Sequence, residues 1–117
     1  MFGEKAHELG RMIGQTEEFK ALKRSRDAME AAGDLRLKFD RMEALAEDLQ
    51  RQAAEGREPA EKDVDEYNRI FGEVQTDTRY QQLVVAQSNF DKLMMQVQER
   101  IMEGMQKGAE SSIITLS

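Results

Sequence analysis

The chain has 117 residues, a net charge of −6 and no Cys, which excludes disulfides, thiolate catalysis and Cys-ligated zinc or iron–sulfur centres. Its acidity argues against direct, sequence-blind nucleic-acid binding, and no apolar run approaches the ~18 residues needed to span a bilayer. The length suits one domain over 1–117, with modest core material: 39% apolar, 6% aromatic, no Trp and eight Met.

One Pro in the whole chain and 34% charged residues favour long helices with solvated faces. Residues 3–14 predict a short helix with Ala6, Leu9 and Ile13 on one stripe and Gly14 as its stop. Its opening stretch, MFGEKAHELG, lacks the basic-then-apolar order of a signal peptide, so a cytoplasmic location without membrane insertion is the expectation. Glu4 and His7 stand three apart, the spacing at which a helix offers two ligands in carboxylate-bridged metal bundles. That chemistry needs further inward carboxylates, and this is the chain's single His. The pair therefore reads as solvent-exposed, with a metal-binding or cargo-type bundle using Glu4 and His7 as the alternative.

Thr16 is a good N-cap for the next helix, with Glu17 and Glu18 at its positive end. Phe19, Leu22, Arg26 and Met29 mark its inward stripe. Lys20, Lys23, Arg24 and Arg26 form the one dense basic cluster, but Asp27 and Glu30 interrupt it. A solvated face is the preferred reading and RNA contact the lesser one. Gly33 should end this helix and Asp34 cap the following one. From Leu35 to about Glu55, Leu35, Phe39, Met42, Ala46, Leu49 and Ala53 step by 4-3-4-3-4, with Leu45 widening the stripe.

Gly56 closes that helix and GREPAEKD forms a loop, with Pro59 suited to a first helical turn. A shorter helix, about 60–75, points Val64, Tyr67, Phe71 and Val74 inward. Asp77 or Thr78 then caps a long helix to about Gln106, roughly 45 Å at 1.5 Å per residue. Its seam runs Leu83, Gln87, Phe90, Met94, Val97, Ile101. Antiparallel pairing of this seam with the one at 35–53 is the simplest way to bury both. A rod this long exceeds what the other helices can cover, leaving part of it for a second copy. Residues 108–117, with Ile113, Ile114 and Leu116, read as a flexible tail, with docking on a partner or a neighbouring subunit as the alternative.

No glycine-rich phosphate loop, catalytic Ser/His pair or inward carboxylate pair is visible. The chain is not expected to be an enzyme or to hold a cofactor.

The helices laid out this way resemble those of the YlbF/YmcA family of small bacterial proteins, the control-of-competence-regulator family. The resemblance covers roughly residues 4–103. It lies in Leu9 and Ile13 before Thr16-Glu17-Glu18-Phe19-Lys20 and Leu22, then in Phe39, Leu45 and Gly56 with its polar loop. It closes with Tyr80, Leu83, Ala86, Phe90, Leu93, Val97 and Ile101. It implies an all-α, YmcA/YheA-like antiparallel bundle of about five helices, two of them long, that self-associates and has a non-enzymatic accessory role. Relatives are linked to competence, biofilm formation and sporulation, and some act in a complex that assists ribonuclease Y in mRNA processing. Some relatives carry Cys residues that take part in iron–sulfur binding; this chain has none, so that property does not carry over. The reading is therefore a homo-oligomeric adaptor that also binds other proteins. Its candidate packing and oligomer seam comprises Phe39, Met42, Leu49, Leu83, Phe90, Met94, Val97 and Ile101.

Overall fold

The computed structural model describes the backbone of residues 1–116 and the side chains of residues 1–110. Five helices follow one another: α1 (Phe2–Gly14), α2 (Glu17–Ala31), α3 (Gly33–Ala54), α4 (Glu61–Gln75) and α5 (Thr78–Leu116), with no strand among the described residues. The expected flexible tail falls mainly on residues 111–117, whose side chains lie outside the described residues.

Local chemistry sets most of the helix ends. The Thr16 hydroxyl accepts a hydrogen bond from the Phe19 amide (3.2 Å) and donates one to the Ile13 carbonyl (2.6 Å). One side chain thus starts α2 and ties off α1. Thr16 itself is extended (φ −71°, ψ 153°), and this single non-helical step turns α1 away from the line of α2. Gly56 sits at φ 75°, the left-handed conformation that lets the chain leave α3. Asp77 caps α5, its Oδ1 accepting from the Arg79 amide at 2.8 Å.

Three boundaries differ from the sequence reading, the largest being the end of α5, whose backbone is helical to Leu116 and not only to about Gln106. Ala32, not Asp34, is the N-cap of α3, and Gly33 is that helix's first residue. One capping residue between α2 and α3 leaves no room for a stop followed by a new cap. Pro59 lies outside the α4 start, one position before the N-cap Ala60.

The helices pair as two antiparallel couples. Helices α3 and α4 form a hairpin stitched by Arg41 to both Glu66 carboxylate oxygens (2.9 and 3.0 Å), Lys38 to Glu73 (3.5 Å) and Gln52 to Asp63 (3.1 Å). The Gln52 side chain also accepts from the Ala60 amide at 2.8 Å, holding the loop closed. Helix α2 lies along the first half of α5, with Phe19 on Phe90 at one end and Ala28 beside Thr78 at the other. The expected pairing of α3 with α5 is therefore incorrect. Both seams share the 4-3 period, but the short loop after Gly56 delivers α4 to α3 first, and α2 takes the place on α5.

The buried core lies where the couples meet. Ala32, Leu35, Leu45, Ile70 and Val74 form it, with Met29, Phe39, Met42, Tyr67 and Tyr80 packed around them. Leu22 and Ala86 are buried between α2 and α5. On α4 the inward position is Ile70; Phe71 stands at the margin, stacked on Tyr67 with centroids 6.2 Å apart. Arg79 of α5 bridges the corner, donating to Asp77 (2.7 Å) and to Asp34 of α3 (3.2 Å). The Arg79 hydrogen bond holds the Asp77 carboxyl down at about 2.

The result is elongated, 70 × 36 × 20 Å, with a radius of gyration of 21.9 Å. A compact chain of this length has about 13 Å. Its accessible surface is 9238 Å², where a compact monomer of 13.4 kDa exposes about 6,500 Å². About 2,700 Å² is thus in excess of what a self-contained fold leaves in water.

Candidate protein-interaction surface

The excess surface has definite addresses. Helix α5 is 39 residues long, roughly 58 Å, and α2 accompanies only its first half. Leu83, Phe90, Leu93, Met94 and Val97 are half-buried and Ala86 is buried, so the seam is occupied as far as Val97. Beyond it, residues 98–110 are all exposed: Ile101 is 46% accessible, Met102 64% and Met105 68%. Ile101 carries the apolar rhythm one step past the covered part of the helix, with Met102 and Met105 beside it.

Helix α1 shows a similar condition over its first half. Phe2, Ala6, Leu9 and Ile13 step by 4-3-4, a seam in its own right. Leu9 and Ile13 are half-buried, whereas Ala6 is exposed and Phe2 is 92% accessible. The helix touches α2 at their junction and makes no backbone approach to α5.

Some of the charges beside both stripes are paired along their own helices. Glu8 accepts from Arg11 at 3.0 Å, which holds its carboxyl below the usual range, and Arg100 donates to Glu103 at 3.2 Å. Isolated exposed apolar residues are ordinary, but continuous stripes of this kind mark interaction sites. A third feature is a shallow groove of ≈ 640 Å³ between α2 and α5, floored by Ala21, Ser25, Ala28 and Val85.

The seam residues anticipated from sequence divide by location. Phe39 and Met42 pack against the core of the chain itself. Leu49, Leu83, Phe90, Met94 and Val97 are half-buried within the helix pairs, and Ile101 stands on the bare segment. The exposed first half of the α1 stripe, which includes Phe2, was the part that sequence reading treated only as a short helix. Its 4-3-4 spacing was the signal that could have found it.

Glu4 and His7 lie on the exposed face of α1, and Glu4 accepts a hydrogen bond from the Met1 amino group at 2.8 Å. Among the described residues, no three His, Cys, Asp or Glu side chains converge as metal ligands. Lys20, Lys23, Arg24 and Arg26 are exposed. Arg26 does not lie inward as its place in the stripe suggested; its guanidinium donates to Gln87 of α5 at 3.1 Å. Among the described residues, no helix is long and apolar enough to cross a membrane.

Fold and surface together define a small all-helical protein whose distinctive feature is uncovered apolar helix surface. The family model described as "Control of competence regulator ComK, YlbF/YmcA" matches residues 3–106, and the chain belongs to that family of competence regulators. It is similar to UPF0342 proteins of Bacillus cereus. That of strain G9842 is 26% identical over 102 residues, covering 87% of this chain and 86% of the relative. The protein of strain ATCC 14579 is also 26% identical, and that of strain ATCC 10987 24%, over the same shares.

Proposed function

We propose that this protein is a non-enzymatic adaptor that self-associates through its uncovered helix faces and presents the remaining helical surface to other proteins. The observation that supports it most is the bare second half of α5, where Ile101, Met102 and Met105 face water on a helix its own chain cannot cover. An excess of about 2,700 Å² is of the size that obligate interfaces bury. Membership of a competence-regulator family fits a role exerted through binding rather than catalysis. An accessory part in mRNA processing by ribonuclease Y, with effects on competence, biofilm formation or sporulation, is the family role we assign to it.

Two measurements test this reading. Sedimentation equilibrium of the full chain should give an assembly larger than one 13.4 kDa chain at micromolar concentration. Purified ribonuclease Y from the same cell should then retain the protein on a column. A monomer that ribonuclease Y does not retain would overturn the proposal.

A further inference from the structure

We infer that the α1 helix of one copy seats on the bare second half of α5 of another copy, so that two chains exchange their N-terminal arms. This rests on the self-association proposed above and specifies its geometry. Four observations lead to it.

The chain carries two apolar stripes that it leaves partly in water, Phe2 and Ala6 on α1 and Ile101 on α5 being exposed, and the segments match in length. Helix α1 has 13 residues and the exposed residues 98–110 of α5 also number thirteen, both about 20 Å at 1.5 Å per residue. They also match in pattern. Phe2, Ala6, Leu9 and Ile13 repeat the 4-3-4 step that Phe90, Met94, Val97 and Ile101 carry along α5. The next seam positions, Gly104 and Gly108, have nothing within 4 Å of where a Cβ would be. The bulky residues of α1 would meet a low, open stretch there.

The charges do not oppose the contact. Lys5 and Arg11 balance Glu4 and Glu8 on α1, while Arg100 and Lys107 leave residues 97–110 one negative charge in excess over Glu99, Glu103 and Glu110. Most of the chain's −6 therefore lies elsewhere.

The connection at Thr16 makes the contact one between chains. Its extended backbone breaks the line between α1 and α2, and α1 and α5 of the same chain make no close backbone approach. A second copy offers the identical face. Under a two-fold axis each chain both gives and receives an arm, so one operation covers all four stripes.

The chain has no Cys, so engineered thiols report this geometry without background. Isotope-labelled L9C is mixed with unlabelled I101C or M105C under oxidised glutathione, and the products are weighed intact. Thiols held side by side in a complex sit at an effective millimolar concentration against micromolar in solution. Mixed dimers with Ile101 or Met105 replaced should therefore form roughly 100-fold faster than with L37C on the exposed face of α3. A chain carrying both L9C and I101C reports the alternative closure on itself.

If the protein sediments as a dimer but L9C joins I101C and M105C no faster than L37C, arm exchange is wrong and self-association stands. If only the doubly substituted chain cross-links, and within itself, the arm docks on its own α5 and the inference fails. A chain that sediments as a monomer removes both.

Discussion

Phe19 of α2 and Phe90 of α5 meet with ring centroids 5.8 Å apart and planes inclined by 56°. This pair lies in the first turn of α2, and the seam of α5 stays half-buried as far as Val97 before it runs out into water. The contact is the last aromatic clasp between the two helices, in the tilted geometry that aromatic pairs favour. Replacing Phe90 by Ala should cost about 2 kcal/mol, less than a fully buried Phe because the ring is half-buried. In a double-mutant cycle with F19A, urea unfolding should show a coupling of about 0.5–1.5 kcal/mol. Additive losses would mean that the rings do not support each other.

Core and surface leucines on α3 should separate cleanly. Leu35 and Leu45 are 0% and 1% accessible, and Leu37 between them is 70%. Leu35→Ala or Leu45→Ala should destabilise by about 2–5 kcal/mol, whereas Leu37→Ala should stay within about 0.5 kcal/mol. Denaturant midpoints decide it. A costly Leu37→Ala would show that this face is covered in the assembled protein.

Two glycines should respond with opposite sign. Gly56 has φ 75°, so G56A forces a side chain into a left-handed position at about 1 kcal/mol. Gly72 lies inside α4 with no neighbour within 4 Å of where a methyl group would stand, so G72A should stabilise by about 0.5–1 kcal/mol. Thermal melts of the two variants, run together, check both.

Acid should loosen the corner where α3 meets α5. The Asp77 carboxyl is held at about 2 against its ordinary 3.8, first by the Arg79 hydrogen bond, and Asp34 is lowered by the same guanidinium. Groups whose folded pKa is depressed add stability that is complete above the unfolded pKa and is lost as pH falls through the folded one. The midpoint of unfolding should therefore decline between about pH 4 and pH 2. In Arg79→Ala the decline should be shallower, because less of the depression remains to be lost. An unchanged slope would remove Arg79 from the account.

The helices themselves were legible in the sequence because caps and breakers are local: Thr16, Gly56 and Asp77 each act within one turn. What the sequence left open was partnership. A 4-3 stripe says that a helix has a seam and nothing about which seam meets it, so α3 was matched to α5 although the short loop at Gly56 places α4 on it. Ile70 was missed for a related reason. Tyr67 and Val74 are bridged by a 3-4 step through Ile70 as readily as by a 4-3 step through Phe71, and only packing decides. Of the candidate seam, Ile101 and the bare end of α5 followed from helix length. The uncovered arm of α1 did not, because a single extended residue at Thr16 determines where that helix goes.

The central claim is that a second copy covers the apolar surface this chain leaves in water, and sedimentation equilibrium tests it most directly. The account predicts a mass of about twice 13.4 kDa at micromolar concentration, falling to that of one chain in Ile101→Asp, where an unpaired charge would enter the contact. A wild-type chain that sediments as a monomer throughout that range would contradict it.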